Sequence, residues 1–193
     1  MSRPNPPDLS YAIQVDFLPV SALPLPGRLG LTRAPGRWAP GRSRDPDSWL
    51  REDLDALAGS HDVQVLVTLL EQHELAELGD LGSAARQAGL AWLPFPIPDM
   101  WIPSDLSVTR HLVAEILRAL EGGDGVVIHC WGGLGRAGTI AACCLVARGT
   151  PPERALALVR AARDGAVQSD VQEQFVRSFA EGLDEGQRGA DYP

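Results

Sequence analysis

The sequence predicts an α/β fold: a small, mostly parallel central sheet of four to five strands flanked by helices. Three observations point to it. Short β-branched apolar runs alternate with segments of helical periodicity, the pattern of strands joined by crossover helices. Two of those runs, Val63 to Leu70 and Val126 to Cys130, are apolar almost throughout, as strands covered on both faces are. The last third of the chain holds helical patterns only, which keeps the sheet small.

Taken in order, the segment up to about Asp47 is rich in Pro, Gly and Arg, and its short apolar pieces, Ile13 to Leu18 and Leu29 to Thr32, suit edge strands between turns. Pro46 to Ala58 carries Trp49, Leu50, Leu54 and Leu57 at helical spacing and stops at Gly59. The buried strand within Val63 to Leu70 follows, then a helix from Ser83 to Ala88 closed by Gly89, then a short strand around Ala91 to Phe95. Pro94 to Pro103 holds four prolines in ten residues, which excludes a helix or central strand and predicts an ordered loop. Ser104 or Asp105 caps the next helix, whose apolar stripe is Val108, Leu112, Ile116 and Leu120. A turn at Gly122 to Gly125 leads into the strand ending at Cys130. Helices are expected at about 137–148, 152–163 and 170–181.

At 193 residues the chain reads as a single domain over 1–186, with an N-terminal extension at 1–9 and a flexible tail at 187–193. Its net charge of −8, with no basic block, argues against nucleic acid or an anionic membrane as partner. Every positive side chain is arginine. Lysine Schiff-base chemistry and a Walker-type phosphate lysine are therefore excluded. Three cysteines, Cys130, Cys143 and Cys144, do not form a secreted disulfide framework. With no export signal or apolar span in view, the chain reads as cytoplasmic.

The chemistry concentrates in His129-Cys130-Trp131-Gly132-Gly133-Leu134-Gly135-Arg136-Ala137-Gly138-Thr139, where a strand gives way to a helix. Glycines let the backbone turn its N–H groups inward as an anion-binding nest, and the helix adds its own unpaired N–H groups and dipole. A cysteine at the mouth of such a nest is held towards the thiolate, the nucleophilic form. Five residues separate it from Arg136, enough for a loop closed around one tetrahedral dianion, here a phosphate or sulfate. A guanidinium can give that dianion two parallel hydrogen bonds. Residues 131 to 136 are thus the expected phosphate-binding set.

Three other readings compete for the stretch. Gly133 to Gly138 matches a dinucleotide-binding pattern, but the second strand ending in an acidic residue is missing, because two helical patterns follow. A Walker loop needs lysine where Thr139 stands. Cys130 could also be a plain buried cysteine.

The segment His129 to Arg136 matches the H-C-x5-R signature of cysteine-based protein-tyrosine and dual-specificity phosphatases, and resembles most the branch containing the cyclin-dependent-kinase-associated phosphatase and its bacterial relatives. Arg28 to Gly36, Pro96 to Asp99 and Gly165 to Gln172 resemble further segments of that branch, so the likeness spans most of residues 10–182. It implies a dual-specificity phosphatase-like fold, a two-step reaction through a cysteinyl-phosphate, and no cofactor or metal. It also implies Cys130 as nucleophile, Arg136 as phosphate ligand and Asp99 as general acid and base, with Asp105 the alternative acid. His129 would orient the loop. Gln168 resembles the water-positioning glutamine of tyrosine phosphatases, with Gln172 second to it, and Trp131 and Trp101 could line the mouth.

One position departs from the family. Ala137 stands where a Ser or Thr hydroxyl would steady the departing thiolate. Losing a hydrogen bond to a charged group costs about 1.5–3 kcal/mol, roughly 10- to 150-fold in rate. Slow hydrolysis of the phosphoenzyme is expected unless Thr139 or a water replaces it. The expected substrate is a phosphoprotein carrying phosphotyrosine, with phosphoserine or phosphothreonine open, or a small aryl phosphate. Two other classes remain: a phosphate-binding pseudophosphatase that recognises a phosphoprotein with little turnover, and rhodanese-type sulfur transfer. Cys143 and Cys144 read as core packing, with a resolving-cysteine role for oxidised Cys130 the alternative.

Overall fold

The structure, a computed structural model, describes residues 12–37 and 46–190, with side chains described for 12–37 and 48–183. The expected extension at 1–9 and residues 191–193 of the expected tail lie outside the described residues.

The chain runs β1 (Asp16–Phe17), β2 (Arg28–Thr32), α1 (Pro46–Ala58), β3 (Val65–Thr68), α2 (Gln72–Leu75), α3 (Leu81–Gln87), β4 (Ala91–Pro94), α4 (Leu106–Gly122), β5 (Gly125–His129), α5 (Gly135–Ala147), α6 (Pro152–Ala162) and α7 (Asp170–Ala190). The five strands form one sheet in the order β1-β2-β5-β3-β4, parallel except for the short antiparallel edge pair β1–β2. This is the expected α/β class with five strands. Asp105 proves to be the cap of α4, its Oδ1 accepting from the Ser107 and Val108 amides at 2.6 and 3.1 Å. Of the two aspartates weighed as the acid, it is Asp99 that pairs with Arg136. Helix α7 runs past the expected tail boundary to Ala190.

Strand residues alternate between two cores. Val65 and Val67 of β3, Leu29 and Leu31 of β2, and Val126 and Ile128 of β5 pack into the larger core under α4, α5, α6 and α7. Leu66 and Val127 face the smaller core under α1 and α3. Helix α5 lies inside the larger core and is buried from Gly135 to Val146. An almost wholly apolar helix is what such a position demands.

The register has one functional consequence. Thr32, His129, Thr68 and Pro94 lie side by side at the carboxyl ends of the four parallel strands. The loops after those strands therefore converge on one edge, where open parallel sheets bind their ligands. They bring together the segment after Thr32, the cysteine loop, α2 and the proline-rich loop.

Candidate active site

Cys130 follows β5 directly and is 4% exposed, at the edge of the larger core. The loop after it is shaped from outside. The Ala34 amide donates to the Trp131 carbonyl at 3.1 Å, and Arg163 Nη2 to the Gly132 carbonyl at 3.0 Å, Arg163 being tied in turn to Asp16. These carbonyls are drawn outward, and the amides of residues 131–134 donate to no protein acceptor among the described residues. A row of unspent N–H groups beside a helix start is an anion-binding nest. Gly133 makes the tight return possible: its φ is +74°, and a Cβ there would lie 2.1 Å from the Thr32 carbonyl oxygen.

Arg136, in the first turn of α5, is 2% exposed. Its Nη1 and Nη2 donate to Glu74 Oε2 and Oε1 at 2.7 and 2.8 Å, a bidentate pair. Nη1 also donates to the Ile97 carbonyl at 3.0 Å, and Nη2 pairs with Asp99 Oδ1 at 2.8 Å. Three N–H groups are thus engaged in hydrogen bonds, leaving Nε and one Nη2 hydrogen along the outer edge of the fork. Burial alone would lower the arginine's pKa. The hydrogen bond to Glu74 and the charges of Cys130, Glu74 and Asp99 outweigh it and raise it. For Glu74, burial pushes the carboxyl up, but the Arg136 hydrogen bond and the Glu71 amide hold it below its usual range. Glu74 is the site residue that sequence reasoning missed. The signal in the chain is the E-x-x-E capping box, Glu71 to Glu74, that starts the one-turn helix α2 just after β3. Nothing local names the arginine 62 positions away as its partner.

His129 is wholly buried and ordered by a chain of hydrogen bonds. Trp92 Nε1 donates to Thr68 Oγ1 at 2.9 Å, the Thr68 hydroxyl contacts His129 Nε2 at 2.8 Å, and His129 Nδ1 faces the Cys130 carbonyl at 3.3 Å. Since the Cys130 carbonyl can only accept, the neutral imidazole carries its proton on Nδ1, and the threonine, which accepts from Trp92, donates to Nε2. Burial pushes the imidazole down to about 4, so it is neutral near pH 7. The histidine's contact with the loop is the one to the Cys130 carbonyl.

Asp99 sits in the proline-rich loop with its side chain 64% exposed, reaching the guanidinium from solvent. Gln168 is exposed, and its Oε1 accepts from the Gly135 amide at 3.1 Å. Gln172 is fully buried and its carboxamide packs against Gly135, where an added Cβ would lie 2.9 Å from Nε2; Oε1 accepts from the Gln168 amide at 2.9 Å and Nε2 donates to the Trp101 carbonyl at 3.2 Å. Trp131 is half-buried, with the Arg37 guanidinium 5.6 Å from its ring, and Trp101 is exposed on the acid loop. The structure therefore brings together Cys130, the 131–136 loop, Asp99, His129 and Gln168, with Gln172 behind them.

Two expectations are narrowed. Thr139 donates its hydroxyl to the Gly135 carbonyl at 2.9 Å, so its only proton is spent and it does not replace the hydroxyl missing at Ala137. Cys143 and Cys144 are fully buried in α5, and burial pushes both thiols up, Cys144 to about 12. Both are core packing.

Comparison with known proteins agrees with this geometry. The family model described as "Tc-R-P: Polymorphic toxin system, DSP-PTPase phosphatase" matches residues 41–150. Cyclin-dependent kinase inhibitor 3 of Rattus norvegicus is 30% identical over 183 residues, 91% of this chain and 82% of the relative. Among solved structures, kinase associated phosphatase with its catalytic cysteine replaced by serine superimposes with a TM-score of 0.79 at 26% identity, covering 90% of this chain and 97% of the other. Tk-PTP in its active form gives 0.68 at 30% identity, covering 86% and 96%. The chain belongs to the cysteine-based dual-specificity and protein-tyrosine phosphatase family.

Proposed function

We propose that the protein hydrolyses phosphomonoesters through a cysteinyl-phosphate on Cys130. The observation that carries this reading is that Cys130, whose charge bears on Arg136, is followed by amides 131–134 that meet no protein acceptor among the described residues, while Glu74 holds the arginine by its two Nη groups. In the first step the Cys130 thiolate attacks phosphorus and the bond to the leaving oxygen breaks. The Arg136 Nε–H and the loop amides hold the three non-bridging oxygens, where charge is spread in the transition state. Asp99 delivers a proton to the leaving oxygen. In the second step Asp99 takes a proton from water as that water displaces the thiolate. Nη2, ion-paired with Asp99, can turn its free hydrogen to a phosphate oxygen, which releases the carboxyl for that role. Gln168, beside the Gly135 amide, is placed to orient the water.

Substrate and setting follow from chemistry. The relatives' names, a kinase associated phosphatase among them, suit a phosphoprotein substrate, phosphotyrosine first and phosphoserine or phosphothreonine beside it. Small aryl phosphates serve as surrogates. The acidic surface disfavours nucleic acid and anionic membranes as partners. Among the described residues no helix is long and apolar enough to cross a membrane. A thiolate nucleophile suits a reducing, cytoplasmic setting.

One observation favours a second reading. Ala137 is fully buried and carries no hydroxyl, while Thr139 spends its own on Gly135. A phosphoprotein-binding pseudophosphatase, turning over little, would show this pattern. Hydrolysis of p-nitrophenyl phosphate by the wild type and by Cys130→Ser separates the two. Turnover at least ~10³-fold above the variant supports the enzyme. Equal rates with phosphate binding retained would favour the binding protein.

A further inference from the structure

Asp99 lies in a tight turn. The Trp101 amide donates to the Pro98 carbonyl at 3.0 Å, placing Asp99 and Met100 at the two central positions, with Met100 at φ +57°. A non-glycine residue in the left-handed region costs of order 1–3 kcal/mol and persists only where its surroundings hold it. Two side chains hold this turn. On the near side, Arg136 Nη1 donates to the Ile97 carbonyl. On the far side, Gln172 Nε2 donates to the Trp101 carbonyl.

The other end of the same carboxamide grips a second strained segment. Val167 is β-branched and sits at φ +57°. Arg160 donates to the carbonyls of Ala166 and Val167 at 3.1 and 2.9 Å, and is itself paired with Glu173. Gln172 Oε1 accepts from the next amide, Gln168, whose side chain reaches the Gly135 amide of the cradle. A fully buried amide of this kind must satisfy both ends, and here each end closes on the backbone of a different catalytic segment.

We infer that Gln172 is a positioning residue that sets the Asp99 turn against the cradle, coupling the acid loop to the Gln168 segment through one carboxamide. This deepens the phosphatase reading and rests on it. Glutamine is required because the far side of the turn offers a carbonyl and the Gln168 segment an N–H. Glutamate can accept from Gln168 but, ionised, has no proton for Trp101. Methionine keeps the volume and loses both bonds.

The test is kcat/KM, which reports transfer to Cys130, across aryl phosphates from the difluoromethylumbelliferyl ester, whose leaving group needs little protonation, to the phenyl ester, which needs much. Gln172→Glu and Gln172→Met should slow the phenyl ester about 10- to 100-fold, within the range of general-acid catalysis, and the difluoromethylumbelliferyl ester less than about 3-fold. On an Asp99→Asn background neither should add to the loss, because the residue they misplace is already disarmed. A uniform drop along the series, or an equal drop on the Asp99→Asn background, overturns the inference. So does failure of both variants to fold, which would make Gln172 a purely structural strut. Wild type with no Cys130-dependent hydrolysis of any ester would instead remove the phosphatase reading, and this inference with it.

Discussion

The floor and the rim of the site are built on opposite terms. The floor is Arg136, Glu74, His129, Thr68 and Trp92, mostly buried and tied to one another by hydrogen bonds. The rim is Asp99, Gln168 and Trp101, exposed side chains of which Asp99 meets Arg136 through one ion-pair contact and Gln168 meets the Gly135 amide through one hydrogen bond. Both carboxylates on Arg136 make the lesson plain. Glu74 grips with two short bonds out of solvent, and Asp99 with one from solvent. A buried bidentate pair is costly to break and holds the guanidinium ready for phosphate. An exposed single contact is worth little and can be exchanged when substrate arrives. The floor is held by many bonds; the rim is held by few.

That contrast can be broken most forcefully at Glu74. Glu74→Ala leaves a buried guanidinium without its main partner, and should lower the unfolding free energy in urea by about 3–5 kcal/mol while also cutting kcat/KM. A variant as stable as wild type would dissolve the distinction. At the rim the expected pattern is the reverse. Asp99→Asn should reduce kcat/KM for phenyl phosphate about 10²-fold or more, yet move stability by no more than about 0.5 kcal/mol.

The floor also predicts acid lability. His129 titrates at 6.5 in an unfolded chain and at about 4 in the fold, so the unfolded state takes up its proton first as pH falls. Stability from this group is complete above 6.5, declines between 6.5 and about 4, and levels off below, a total of about 3 kcal/mol. Glu74, held below 4.5, adds a further loss as pH drops under that value and through its depressed folded pKa. Urea midpoints measured across this range should flatten above 4.5 in His129→Gln. An unchanged slope would show that the histidine does not titrate as its burial requires.

The smallest expected effect lies between floor and rim. Ala137 shares a buried cluster with Cys130. A hydroxyl supplied by Ala137→Ser should speed breakdown of the phosphoenzyme about 10-fold or more and shrink a product burst seen in rapid mixing. A wild type without a burst, turning over as fast as the variant, would show that another group already serves.

Most of what was legible in the sequence was local. The strand–loop–helix around Cys130, the five-residue spacing to Arg136 and the prolines that stiffen the Asp99 loop are contiguous patterns, and short-range backbone rules read them. Asp105 shows the limit of such reading. Sequence left it open as acid or cap, and two backbone amides decided for the cap. The parallel sheet was legible from apolar runs alternating with helices; the antiparallel pairing of β1 was not, because two residues carry too little pattern.

By itself the chain pointed to a segment fit to cradle a dianion, to the sulfur beside it and to an acid loop that could accompany it, because each is a matter of neighbouring residues and allowed dihedrals. Tertiary structure alone decided that Glu74 clamps Arg136, that Gln172 supports and Gln168 reaches, and that Thr139 is spent elsewhere. Those are contacts across 62, 71 and 33 positions and one choice between acceptors, and they exist only once four strand ends stand side by side.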